Sequence, residues 1–142
     1  MTAHDLMTPN PSTISSQASL AEAWDRMRAL DVRHLPVVER DEVVGMLSDR
    51  DLGNFDVARL LTEEGADAVR RWLARPVVQL MSTDVIAAEP ETDIDDLITL
   101  FLEHKIGAIP VLMPGSRHIV GIVSYIDVLR ALQDVLEDGA NV

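Results

Sequence analysis

The sequence predicts an α+β fold of two strand-helix-strand-strand-helix units, packed with pseudo-twofold symmetry and joined by a helical connection. Three observations carry the prediction. First, the chain repeats itself. With an offset of 74, Leu6-Met7 falls on Leu80-Met81, Leu20 on Ile94, Trp24 on Ile98, Met27 on Phe101, and "HLPVV" at His34 on "AIPVL" at Ala108. Past a two-residue insertion around "MPGSRH" the offset becomes 76, and "GMLSDRDL" at Gly45 falls on "GIVSYIDV" at Gly121. Second, each copy switches its apolar period from helical to extended at the same place. Third, a unit of about 55 residues buries too little apolar surface to stand comfortably alone, so two units are expected to share one core.

The elements follow in order. Ser12 to Ser15 reads as a short extended piece. Ser19 opens "SLAE", a capping box with Glu22 at the third helical position. Leu20, Ala23, Trp24, Met27 and Leu30 continue at helical spacing, which assigns Trp24 to the core. Strands at 35–39 and 42–47 come next, joined by the charged turn Arg40-Asp41, and a last helix starts at Ser48. The second copy has an extended piece at 85–88, a cap at Thr92 or Asp93, and a stripe of Ile94, Leu97, Ile98, Phe101 and Leu102. Strands at 109–113 and 118–123 and a helix from Ser124 complete it.

Between the copies, Phe55, Ala58, Leu61, Val69, Trp72 and Leu73 give one or two amphipathic helices around a break at Gly65. Pro76 suits the first turn of a short helix running to Met81. The domain reading is a first motif at 1–56, a connection at 57–75 and a second motif at 76–142.

Composition narrows the function. The absence of cysteine excludes disulfides, thiolate metal sites and cysteine catalysis. A net charge of −12, with no basic run longer than Arg70-Arg71, argues against nucleic-acid binding, so any phosphate site has to be local. No run of about 18 uncharged apolar residues is present, and the start MTAHDLMTP lacks the regions of a signal peptide. The expectation is a cytoplasmic protein with no membrane partner.

The repeated Ser-x-x-Asp has two readings. As a cap, the Ser oxygen accepts an orphan N–H and the acid favours the helix dipole. That accounts for each instance but not for the matched placement after a Gly-containing strand in both copies. As a binding element, helix N–H groups and the Ser hydroxyl suit a phosphate, and the Asp suits a ribose diol. Gly45 and Gly121 would let the backbone approach a base, although packing also explains a strand glycine.

"RHLPVVERDEVVGMLSDRDL" and "IGAIPVLMPGSRHIVGIVSYIDVL" resemble the signature halves of two CBS (cystathionine β-synthase) domains, and "DLMTP" and "QLMST" match how such domains begin. The resemblance covers nearly the whole chain except 54–75. It implies a tandem pair, or Bateman module. Such pairs bind adenosine compounds in two clefts between the copies: AMP, ADP, ATP, S-adenosylmethionine, sometimes NAD or a cyclic dinucleotide. It also implies a regulatory role and frequent assembly into disc-shaped homodimers. By motif position, the first site would use Ser48 and Arg50 for phosphate and Asp51 for ribose, with Thr13, Ile14, His34, Leu35 and Pro36 around the base. The second would use Ser124 and Asp127, with Val85, Ile86, Ala108, Ile109 and Pro110. There Tyr125 and Ile126 replace Asp49 and Arg50, so the local cation is lost, and Arg117 and His118 lie at the far end of the strand.

No catalytic constellation competes. There is no G-x-S-x-G, P-loop or G-x-G-x-x-G. His4, His104 and His118 lack metal-ligand spacing, so no metal is expected. Asp93, Asp95 and Asp96 read as a charged helix start. The sequence therefore reads as a regulatory adenosine-nucleotide sensor acting on an unidentified protein, with no enzyme activity and no required cofactor. The rival reading is a ligand-free interaction or oligomerisation module of the same fold.

Overall fold

The structure is a computed structural model and describes residues 1–53 and 65–140. Phe55, Ala58 and Leu61 of the expected connection lie outside the described residues. In chain order the elements are α1 (Ala3–Leu6), β1 (Thr8–Pro9), β2 (Ile14–Ser15), α2 (Leu20–Leu30), β3 (His34–Glu39), β4 (Glu42–Ser48), α3 (Asp49–Leu52), α4 (Gly65–Leu73), α5 (Ile94–His104), β5 (Ala108–Leu112), β6 (Ile119–Ser124) and α6 (Tyr125–Ala140). A 3₁₀ turn, Val77–Gln79, precedes Leu80. This is the expected α+β fold, with two three-stranded sheets.

The compact units are cut differently from the sequence repeat. One unit is Ser12–Val85; the other joins Met1–Pro11 to Ile86–Val142. Each sheet therefore takes in the leading segment of the other repeat. In the first unit β2 runs parallel to β3, and β3 pairs antiparallel with β4. Met46 and Ser82 exchange backbone hydrogen bonds of 2.9 and 2.8 Å along β4. In the second unit β1 pairs antiparallel with β6, with Thr8 opposite Ile122 and Pro9 opposite Gly121, and β6 pairs with β5. Ala88 adds a parallel bridge to Val111.

Local chemistry explains the boundaries. Ser19 Oγ accepts the Glu22 N–H at 3.2 Å and starts α2. Asp93 does the same for α5, accepting from Asp95 at 3.3 Å. Both helices end on a left-handed residue, Asp31 (φ 52°) and Lys105 (φ 53°), at matching positions of the two copies. The β3–β4 hairpin turns through Arg40 and Asp41, both at positive φ (51° and 66°), the twist that suits a two-residue hairpin loop. The longer β5–β6 turn instead uses Gly115 at φ +73°.

Each unit has its own apolar cluster. Ile14, Leu20, Ala23, Met27, Leu35, Val37, Leu47, Leu52 and Val77 fill the first. Ala3, Ala88, Leu97, Ile109, Val111, Val123 and Val128 fill the second. The leading segments supply what each unit otherwise lacks: Val77 closes the first cluster and Ala3 the second. Trp24 is not core. It is 42% exposed, one position outside the face made by Leu20, Ala23 and Met27. Leu30 and Leu102 are exposed for the same reason. Trp72 of α4 packs on the first cluster, and the Arg75 guanidinium lies 5.2 Å above its ring.

Candidate functional site

Each unit brings its repeated phrase to the end of a hairpin. β4 delivers Ser48 directly opposite His34, and β6 delivers Ser124 directly opposite Ala108. A helix begins at the next residue in both cases, α3 at Asp49 and α6 at Tyr125. The capping reading is realised twice. Asp51 Oδ2 accepts from the Ser48 amide at 2.8 Å and from its hydroxyl at 3.2 Å. Asp127 Oδ2 accepts from the Ser124 amide at 2.8 Å and its hydroxyl at 3.0 Å, while Ser124 Oγ accepts the Asp127 N–H at 3.2 Å. Each carboxylate spends one oxygen on the cap, and Oδ1 remains as a second acceptor.

The same box occurs a third time. Asp5 Oδ2 accepts from the Thr2 amide at 2.9 Å and its hydroxyl at 3.2 Å, and these bonds hold the Asp5 carboxyl below the usual carboxylate range. Box geometry is therefore not itself a binding signal. Position distinguishes the others: Ser48, Asp51, Ser124 and Asp127 are all half-buried at a strand end, and Asp5 is exposed.

The remaining named residues divide by burial. Ile14, Leu35, Pro36, Ile109 and Pro110 are buried, and Ile14, Leu35 and Ile109 fill the apolar clusters. Ala108 is buried at 6% exposure. Thr13 is half-buried, and its carbonyl accepts from Arg26 Nη1. Arg50 is exposed beside Ser48. Ile86 and Val85 are half-buried, but Val85 closes the unit that holds Ser48, so the second unit holds Ile86 alone of that pair. Arg117 and His118 precede the six-residue strand β6 that ends at Ser124. At about 3.3 Å per residue this puts them roughly 17 Å or more from the hydroxyl, and neither replaces Arg50.

Of the two readings of the strand glycines, the structure supports packing and supplies the partners. A Cβ on Gly45 would sit 2.5 Å from Met81 Sδ and 2.9 Å from the Ser82 carbonyl oxygen. One on Gly121 would meet Met7 Sδ, with Met7 Cγ at 2.8 Å. The space above each glycine is filled by a methionine of the same unit, so packing requires the glycine and no ligand is needed to explain it. The signal was present in the sequence as a recurring Leu-Met matched to a recurring Gly.

His34 sits half-buried across from Ser48. Burial is the largest influence on its imidazole and lowers its pKa from the ordinary 6.5; Arg50 and Arg33 add to this, and Asp49 and Asp51 oppose it. On acidification the unfolded chain takes up this proton first. The stabilising contribution is therefore complete above about pH 6.5 and is lost as the pH falls toward the folded-state pKa. Urea unfolding at about pH 7 and pH 5 should show wild type losing more stability than His34→Gln; equal losses would refute this role.

Among the described residues no group of three or more His, Cys, Asp or Glu side chains is placed to hold a metal, and no helix is long and apolar enough to cross a membrane.

The sequence model of the CBS domain matches residues 3–55 and 77–134. The CBS domain-containing protein YhcV of Bacillus subtilis is 32% identical over 120 residues, covering 84% of this chain and 77% of that protein. Several other curated relatives are longer and are matched over only part of their length, in three cases 23%, 43% and 47%. Among solved structures, the AcuB protein of Vibrio cholerae superposes with a TM-score of 0.77 at 27% identity, covering 100% of this chain and 97% of that one. CBSX2 in complex with AMP superposes with a TM-score of 0.74 at 26% identity, covering 94% and 97%.

Proposed function

The chain belongs to the CBS domain family, and from that premise we propose that it is a regulatory module whose Ser48–Asp51 and Ser124–Asp127 elements bind adenosine nucleotides. The observation that carries the reading is the half-buried box built twice at a strand end, each time with one carboxylate oxygen left over from capping. The structural likeness to CBSX2, solved with AMP, supports the ligand class.

In this reading Asp51 and Asp127 accept from a ribose diol, and the Ser48 and Ser124 hydroxyls turn their single proton from the capping carboxylate to a phosphate oxygen. The two elements differ in charge. Arg50 flanks the first, whereas Ile126 stands at the matching place in the second. The first takes the more highly phosphorylated ligand, and the second takes AMP or a sulfonium such as S-adenosylmethionine, which asks less of a cation. The module performs no chemistry of its own. Ligand occupancy shifts its conformational population, and a regulated protein reads the shift.

Thermal unfolding with and without AMP, ADP, ATP and S-adenosylmethionine tests the proposal. A ligand at about a hundred times its dissociation constant adds roughly 2.7 kcal/mol, and each kcal/mol raises the midpoint of a chain this size by about 2–4 °C. A rise of roughly 5–10 °C is expected with at least one ligand. The Thr2–Asp5 box, complete without any ligand, favours the alternative of an interaction module whose Ser-Asp pairs only cap. No shift with any of these ligands would select that alternative.

A further inference from the structure

We propose that His34 makes ligand binding at the first element proton-linked: as an imidazolium it lies beside the phosphate that Ser48 receives, so this element binds a phosphorylated ligand more tightly on acidification, and the second does not. The inference rests on the nucleotide reading of the first element and deepens it. The register places the group. His34 on β3 and Ser48 on β4 are directly opposed. Directly opposed residues of an antiparallel pair project from one face, with Cβ atoms about 4.5–5.5 Å apart. Along β4 the buried residues are Val43, Gly45 and Leu47, and the half-buried ones are Val44, Met46 and Ser48. His34 therefore stands on the less covered face, half-buried like Ser48 itself. Motif position set it around the base; the register sets it beside the Ser48 hydroxyl. Among the described residues no hydrogen bond engages its ring, so both nitrogens remain for a ligand and a proton.

The surrounding charges leave His34 as the variable one. α3 brings Asp49, Arg50 and Asp51 to the imidazole, and Arg33 precedes it in the chain. α2 packs on both β3 and α3, and the charged residues at its end, Arg28 and Asp31, are exposed. Of these side-chain types only an imidazole ordinarily changes charge between about pH 5 and 8. In the empty element burial is the largest influence and holds the imidazole below its ordinary 6.5. A phosphate beside it favours the charged form and raises that pKa. Binding therefore takes up a proton, and affinity rises as the pH falls through the occupied-state pKa toward the empty-state one. In the second unit Ala108 stands opposite Ser124, and Gly107 stands where Arg33 would be. One element then reads nucleotide and proton together, and the other reads its ligand alone.

Calorimetric titration of the full chain with ADP at about pH 8 and about pH 5.5 tests this. His34→Gln is the reference, because it cancels titration of the ADP phosphates and the response of the second element. The gain in affinity on acidification should be about tenfold larger in wild type than in His34→Gln. His34→Arg, a permanent cation, should bind ADP more tightly than wild type at about pH 8 and lose the extra gain. Adenosine, which has no phosphate, should respond alike in wild type and His34→Gln; an extra gain there equal to that with ADP overturns the inference. An ADP response that is the same in all three chains assigns His34 to packing and overturns the inference while the nucleotide reading stands. No ADP binding at either pH overturns the nucleotide reading of this element, and the inference with it. If the variants fail to fold, proton NMR of the wild type decides. The titration midpoint of the His34 ring should rise when ADP is added, and a midpoint that stays in place overturns the inference.

Discussion

Replacing Asp51 by alanine will weaken nucleotide binding at the first element by about 10- to 150-fold, because a hydrogen bond to a charged acceptor is worth roughly 1.5–3 kcal/mol. The same change removes the acceptor of the Ser48 amide and hydroxyl, so it will also cost about 0.5–2 kcal/mol of stability. These effects separate in Asp51→Asn. Its amide oxygen still accepts from Ser48 and keeps most of the cap, but the charge that strengthens a ribose contact is gone. Calorimetric titration and urea unfolding on both variants therefore give two independent columns. Binding should fall in both, and stability chiefly in alanine. Asp5→Ala is the control, since it breaks a box of the same geometry at an exposed site and should leave binding untouched. If Asp51→Ala loses stability but binds like wild type, the carboxylate is a cap and nothing more.

How far the site was legible follows from the physics of each part. The repeats, the long helices and the four long strands could be read because periodicity and caps are local: Ser19, Asp93 and the Arg40-Asp41 turn act within four residues of themselves. The hairpin was legible but not its full register: the Arg40-Asp41 turn alone would set His34 opposite Leu47, and the register shift between Val37 and Val38 brings it opposite Ser48 instead. The destination of the leading segments was not legible. β1 is two residues long and pairs with β6 more than a hundred residues away, and two residues carry no period. Trp24 was misplaced because a helical stripe is about 100° wide, and its edge positions turn to water or core according to tertiary packing. The partner that makes each glycine necessary was hidden likewise, since Met7 and Met81 each arrive on the leading segment of the other repeat.

That packing makes the strongest test of the unit boundaries. Gly121→Ala will destabilise the chain by about 1–3 kcal/mol, because a Cβ has no room beneath Met7 and buried Gly121 lies in the middle strand of its sheet. Met7→Ala alone will cost about 2 kcal/mol, at the low end for a methionine because Met7 is only half-buried. Together the two changes should cost at least about 1 kcal/mol less than their sum, since removing Met7 Cγ and Sδ vacates most of the volume the new methyl group needs. The first unit should behave differently. Gly45→Ala also meets the Ser82 carbonyl oxygen at 2.9 Å, and that oxygen is fixed by its hydrogen bond from the Met46 amide. Met81→Ala will therefore rescue Gly45→Ala less than Met7→Ala rescues Gly121→Ala. Denaturant unfolding of the two double-mutant cycles measures both couplings. Additive costs for Met7 and Gly121 would mean that Met1–Pro11 does not pack on β6, and the second unit would have to be redrawn without it.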